Sequence, residues 1–299
     1  MTEQVSFPPR PSDGHKGTFG SVCVIGGQRS EDGVVMVGAP ALVAIAAMRS
    51  GCGKVVLAMP QPLLLTGLAI VPVATGIELP VDEVGRMMSS AAVELLDTHT
   101  SSSRCYVIGP GFGSDWPQQQ FIATMLSRED IPIILDADGL NALSQLESGQ
   151  QECRAPTIMT PHIREYERLA AAASIDVDTS ELSAAAASLA QAYGCVVVLK
   201  SSSTAISDGV KTVKVDRGGV VLATGGSGDV LSGIIAGILV QFGDRCVQHL
   251  MDAAVLGVHV HAMAGKTFDS THGNAGMLAT DLLERIPASI SAMRSELDA

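Results

Sequence analysis

Six short apolar runs, most rich in β-branched residues and each closed by Gly, Pro, Asp or a polar cluster, leave this chain few architectures. They are SVCVIGG (21–27), KVVLAMP (54–60), CYVIGPG (105–111), PIILDAD (132–138), PTIMTPH (156–162) and VVVLKSS (196–202). Most are apolar throughout, the pattern of strands covered on both faces. Helical stretches are predicted at 38–51, 117–129, 163–173, 180–194, 228–242, 247–265 and 275–286. Alternation on this scale implies an α/β fold, a mostly parallel sheet with right-handed crossovers and helices on both faces. TAISDGVKTVKVD (204–216) alternates around Asp208-Gly209 and reads as a hairpin. No repeat or linker divides the chain, so residues 1–299 are expected to form a single domain, with 1–14 a flexible lead-in.

Composition narrows the partners. Hydrophobic residues make up 46% and charged residues 17%, enough for a large core. A net charge of −12, with 19 Lys and Arg forming no run, argues against nucleic acid. An anionic ligand would need backbone N–H groups or a few placed cations. The six cysteines are far apart and show no metal-binding spacing, as reduced core thiols do. No signal pattern opens the chain and no uninterrupted apolar run reaches membrane length, so a soluble, cytoplasmic protein is expected.

In such sheets ligands bind beyond the carboxyl ends of the strands. The most informative segment is ATGGSGDVLSGIIAGILVQF (223–242), where Asp229 is the only carboxylate and stands in the first turn of an apolar helix. A helix N-terminus offers unpaired N–H groups and partial positive charge. Glycines let those amides close around a tetrahedral anion. An isolated acid here would simply favour the helix dipole. With Gly225, Gly226, Ser227 and Gly228 in front of it, Asp229 is better read as the acceptor of a hydroxyl proton during phosphoryl transfer. Gly233 and Gly237 share one face and predict close packing of the helix behind the anion site.

Other signals carry less. GPGFG (109–113) lacks the spacing of a dinucleotide-binding turn, and no GxxxxGK[ST] loop is present. His259 and His261 point to different helix faces and read as packing residues. DADGLN (136–141) starts like a calcium loop but lacks its later ligands, so its acids are expected to cap a helix or lie near a ribose.

TGGSGDVLSGIIAG resembles the signature of the NAD(P)H-hydrate dehydratases of the ribokinase-like superfamily. HKGTFGSVCVIGG (15–27), GAPALVAIAAMRSGCG (38–53), YVIGPGFG (106–113), ILDADGLNAL (134–143), MTPHIREYERL (159–169) and GNAGMLATDLLERIP (273–287) follow in the family's order. The resemblance implies a ribokinase-like three-layer αβα sandwich. It implies repair of hydrated NADH and NADPH (NADHX and NADPHX) with ADP, or ATP, as co-substrate and Mg²⁺ as cofactor. It also implies a homo-oligomer, a tetramer. The family's substrate contacts carry over to Ala39, Gly113, His162 and Asp229. Its nucleotide contacts carry over to Lys200, Ser201, Ser202, Ser203, Thr204 and Gly228. Catalysis falls to Asp229 with the cradle of Gly226, Ser227 and Gly228. Glu165, one helical turn after His162, is placed to hold a hydrated Mg²⁺, or else to favour the helix dipole.

Three departures from the family pattern bear on nucleotide choice and substrate affinity. Ser201 stands where a glycine usually follows the lysine. Arg217-Gly218-Gly219-Val220-Val221 replaces an Asn-Pro-Gly. QRSEDGVVM (28–36) lacks the usual aromatic. Two rival readings share the same cradle: a small-alcohol kinase of the superfamily, and a nucleotide-sensing protein without turnover.

Overall fold

The computed structural model describes residues 5–30, 32–146, 152–176, 179–216 and 218–297. In chain order the elements are β1 (Ser21–Ile25), β2 (Gln28–Arg29), β3 (Val35–Met36), α1 (Gly38–Arg49), β4 (Lys54–Pro60), α2 (Gln61–Ile70), β5 (Thr75–Leu79) and α3 (Ser89–His99). Next come β6 (Cys105–Ile108), α4 (Trp116–Leu126), β7 (Ile133–Leu135), α5 (Asp138–Ser144), β8 (Thr157–Met159), α6 (Ile163–Ala172) and α7 (Leu182–Tyr193). The chain continues with β9 (Val196–Lys200), β10 (Thr204–Ser207), β11 (Thr212–Val215), α8 (Ser227–Leu239), α9 (Leu250–His272) and α10 (Ala279–Leu297).

All six predicted strands form and lie in one sheet, ordered β11-β10-β9-β8-β7-β6-β1-β4-β5. Every pairing in it is parallel except those of β10 with β9 and β11. Side chains alternate between two cores. Val22, Val24, Val196 and Val198 face α1, α8, α9 and α10; Cys23, Ile25, Val197 and Leu199 face α3 to α7. The result is the expected three-layer αβα sandwich, and burial on both faces explains the unbroken apolar runs.

The elements differ from the expectation mainly at their ends. The first run stops at Ile25 because Gly26 and Gly27 turn against Pro110, and Gly27 has φ +84°. The final helix runs past Pro287 to Leu297, since Ile286 and Met293 on either side are buried in the core. Helices α2 and α3 and edge strand β5 were not anticipated. Of the lead-in, residues 1–4 lie outside the described residues. Farther along, Arg10 stacks over the Phe19 ring at 3.9 Å and donates to the Gly51 carbonyl at 2.8 Å. Ser227–His272 is long and apolar enough to cross a membrane, but 72% of its most apolar window is buried within the protein.

α8 positions the site, and its glycines decide how closely α1 approaches. A Cβ at Gly237 would stand 2.5 Å from the Ala47 carbonyl oxygen, and one at Gly233 would collide with the Val43 carbonyl. Backbone cannot give way as a flexible side chain can. Gly233→Ala or Gly237→Ala is therefore expected to destabilise the protein by about 1–3 kcal/mol, read from denaturant midpoints. An unchanged midpoint would mean that α1 and α8 are not in this contact.

Candidate active site

α8 opens where the sheet's carboxyl ends face solvent. Gly226 caps it with φ +87°, and a Cβ there would stand 2.7 Å from Leu42 Cδ1 and 2.9 Å from Ala279 Cβ. Only glycine fits both the space and the backbone. The N–H groups of Gly225, Gly226, Gly228 and Asp229 find no acceptor among the described residues, whereas Ser227 N–H donates to Thr224 O at 3.3 Å. The mouth is thus a set of open amides at the positive end of a helix dipole.

The half-buried Asp229 carboxyl folds back over this mouth, its Oδ2 lying 4.0 Å from where a Gly226 Cβ would stand. Burial pushes its pKa up to about 7; Asp136, Asp138 and Glu165 add to the rise and Lys200 opposes it. The carboxyl is therefore poised to exchange a proton near neutrality.

Lys200 ends β9, and its N–H is held by Pro161 O at 2.8 Å. Its ammonium crosses to Asp136 Oδ1 at 3.1 Å and lies 3.3 Å from the position a Cβ would take on Gly228. Burial works against its charge, but Asp136, then Glu165 and Asp229, outweigh burial and raise its pKa. The cation is permanent.

Lys200, Ser227 and Gly228 from this mouth line one side of a cavity of about 780 Å³, a size suited to a nucleotide. Lys200, Ser201, Ser202, Ser203, Thr204 and Gly228 all lie on its wall. Apolar residues including Val215, Leu222, Leu231 and Val258 line the rest. His261, read from sequence as packing, also reaches this wall, with Nε2 at 3.0 Å from both Ser227 Oγ and Ser227 O. Burial pushes its pKa down to about 4, so it is neutral and braces the cradle.

Of the four residues carried over as substrate contacts, His162 lines this cavity and the other three do not. Ala39 begins α1 against the GPGFG turn, its Cβ 3.6 Å from where a Cβ on Gly111 would stand. Gly113 has φ +80° and donates its N–H to Asp138 Oδ2 at 3.0 Å, and the Gln28 amide occupies the space a side chain would need.

His162 and Glu165 form a reciprocal cap on α6. Glu165 Oε2 accepts the His162 N–H at 2.8 Å, and His162 Nδ1 accepts the Glu165 N–H at 3.2 Å. Burial pushes the Glu165 pKa up to about 7, against the pull of Lys200. The helix-terminus role of Glu165 is thus present. Among the described residues no group of three or more His, Cys, Asp or Glu is arranged to hold a metal.

Sequence reasoning missed the centre of the network. Asp136, expected as a cap or ribose contact, instead bonds Lys200 and takes the Ser232 hydroxyl at 2.6 Å. Asp138, two residues on, does stand in the first turn of α5.

The chain matches the family described as NAD(P)H-hydrate dehydratase over residues 22–288. The ADP-dependent (S)-NAD(P)H-hydrate dehydratase of Neisseria meningitidis serogroup B is 33% identical, over 92% of this chain and 86% of that protein. The Bacillus subtilis ADP/ATP-dependent NAD(P)H-hydrate dehydratase, co-crystallised with ATP/Mg²⁺, superposes with a TM-score of 0.76 at 27% identity, covering 97% and 95% of the two chains. A ribokinase-like superfamily protein from Enterococcus faecalis V583 gives a TM-score of 0.75 at 25% identity, covering 96% and 92%. The chain spans about half the length of the bifunctional NAD(P)H-hydrate repair enzymes it also matches, 50%, 53% and 52% of three of them.

The proton held by Asp229 is linked to stability. An unfolded aspartate releases its proton near pH 4, the folded one near 7. The bound proton favours the folded state fully below about pH 4, and that advantage is lost as pH rises through about 7. Asp229→Asn is expected to melt at a higher temperature than wild type at pH 8, with the difference shrinking at pH 5. The same difference at both values would mean that the carboxyl ionises like an exposed one.

Proposed function

The chain belongs to the NAD(P)H-hydrate dehydratase family, and from that premise we propose that it dehydrates NADHX and NADPHX with ADP as phosphoryl donor. The observation that carries this reading is the Asp229 carboxyl, titrating near 7, beside open amides and a fixed ammonium at one helix mouth.

Hydroxide is a poor leaving group, so the C6 hydroxyl is first phosphorylated. Asp229 takes the hydroxyl proton as the oxygen attacks the terminal phosphorus of ADP and AMP departs. The open amides of Gly226 and Gly228 receive the charge that develops on the phosphoryl oxygens, and Lys200 neutralises the polyphosphate. The ring nitrogen's lone pair then expels phosphate from C6, and loss of a proton from C5 restores the dihydropyridine. Ala39, Gly113 and His162, the last also on the cavity wall, would hold the hydrated nicotinamide nucleotide, with Ser201–Thr204 along the adenine nucleotide.

Mg²⁺ fits this site only as a companion of the nucleotide. Both Glu165 oxygens lie against His162, Oε2 on its N–H and Oε1 at 3.3 Å from Nε2, and Asp136 is committed to Lys200 and Ser232. A metal would enter on phosphate oxygens and water, meeting Glu165 through water alone.

The test mixes the protein with hydrated NADH, Mg²⁺ and ADP or ATP. Return of the reduced-nicotinamide absorbance, with release of phosphate, is expected. Accumulation of a stable phosphorylated product would instead identify a kinase, and binding without either outcome a sensor. Asp229→Asn should lower turnover roughly 10²- to 10⁴-fold while leaving ADP affinity within a few-fold; near-normal turnover would remove Asp229 from the mechanism. Lys200→Met should weaken ADP binding roughly tenfold or more, by calorimetry, without weakening adenosine binding. Equal losses for both ligands would place the lysine's role away from the phosphates.

A further inference from the structure

Asp136 is only 2% exposed and lies at the centre of the site, yet the chemistry above gives it no task. It is latched from two sides. Lys200 Nζ meets Oδ1 at 3.1 Å, and the hydroxyl of Ser232, one helical turn beyond Asp229 on α8, donates to Oδ2 at 2.6 Å. Thr160 Oγ1 lies 3.4 Å from the same hydroxyl, so the ends of β7, β8 and β9 are tied to α8. The next residue, Ala137, has φ +50° and ψ −120°, a conformation that a residue with a Cβ adopts only under constraint. That bend lets Asp136 point inward to Lys200 while Asp138 reaches the Gly113 amide.

Lys200 has a choice of partners at this point. Its charge interacts with Asp136, Glu165 and Asp229. A lysine paired with Asp229 would hold that carboxyl ionised and make it a poor proton acceptor. We propose that Asp136 is a positioning residue of the active site: by latching the Lys200 ammonium beside Gly228, it fixes the cation for a phosphate and keeps it from pairing with Asp229. The base role of Asp229 rests on the proposed function; the latch itself rests on the contacts above.

The charged groups facing Asp229 are Asp136 from the end of β7, Asp138 from α5, Glu165 from α6 and Lys200 from β9. Removing the Asp136 charge takes away one repulsive neighbour and frees the only cation among them. Both changes lower the proton affinity of Asp229, but only the second depends on Lys200. A double-mutant cycle separates them.

The experiment follows the Asp229 side-chain carboxyl by carbon-13 NMR through pH 4–9 in the full chain without ligand, the resonance being assigned by its loss in Asp229→Asn. In Asp136→Asn the titration midpoint is expected to fall by about one unit or more. Lys200→Met is expected to raise the midpoint by about one unit more in the Asp136→Asn background than in wild type. Equal effects of Lys200→Met in the two backgrounds, or an unmoved midpoint in Asp136→Asn, would overturn the proposal. Should Asp136→Asn fail to fold, Ser232→Ala releases one side of the latch and is expected to lower the midpoint by about half a unit; no shift there would overturn it equally. In turnover, the acid limb of the pH profile should move down with the NMR midpoint. Because the NMR titration uses no substrate, a protein that shows the latch but does not dehydrate hydrated NADH would refute the reaction and leave the latch standing.

Discussion

A single half-buried ammonium among four carboxylates sets the character of this site. In a chain of net charge −12, an anionic ligand meets repulsion almost everywhere. Lys200 supplies the local exception, and Asp136, with Glu165 and Asp229, more than offsets the burial that works against its charge. Burial lets Asp229 and Glu165 hold their protons up to about pH 7, against the pull of Lys200. Near neutrality the mouth of α8 therefore carries less negative charge than its residue list suggests. That would let open amides and one cation attract a polyphosphate despite the surrounding acids.

Donors can stabilise developing charge only if they are already fixed when it appears. α8 meets that condition through its packing. Every residue from Val230 to Leu239 is buried, and the helix touches α1, α9 and α10. Gly233 and Gly237 let the backbone of α1 come into contact, and Gly257 does the same from α9 against Ile235. At the front, His261 from α9 grips Ser227, while Ser232 ties the helix to the strand ends through Asp136. The apolar body of the helix thus supports a polar tip.

What the sequence reveals and what it hides divide along chain separation. The strands, α8 and its cradle, and the Asp-Gly hairpin are local patterns, and each appears where its period or its glycines put it. Lys200 to Thr204 were named through the family resemblance, because a lysine at a strand end is by itself an ordinary solvated residue. The latch was not legible. Asp136 meets Lys200 across 64 residues and Ser232 across 96, and nothing near Asp136 separates an interior acid from a helix-capping one. His261 reaches Ser227 across 34 residues and looks like any histidine on an apolar helix. α2 escaped notice because QPLLLTGLAI is apolar nearly all round, with exposed Leu65 beside buried Leu64. The His162–Glu165 cap was half visible: the spacing is that of a capping box, but histidine is not a usual cap residue.

The departures from the family pattern can be weighed in physical terms. A glycine after the lysine would be required if the backbone there turned left-handed, but among the described non-glycine residues only Ala137 and Ser174 have positive φ. Ser201 therefore sits without backbone strain, in a turn closed by its own N–H on Ser203 O at 2.9 Å, with its side chain exposed on the cavity wall. In the Arg217–Val221 departure, Arg217 lies outside the described residues. Gly219 does turn left-handed, at φ +69°, so the glycine there is used for its conformation. Val220 then presents 67% of its surface at the cavity rim. The side chains of this rim are apolar, suited to the flat face of a base, and leave only backbone groups to hydrogen-bond a phosphate or ribose. The change thus falls on the walls that would grip a nucleotide and leaves the mouth of α8, where transfer would occur, untouched.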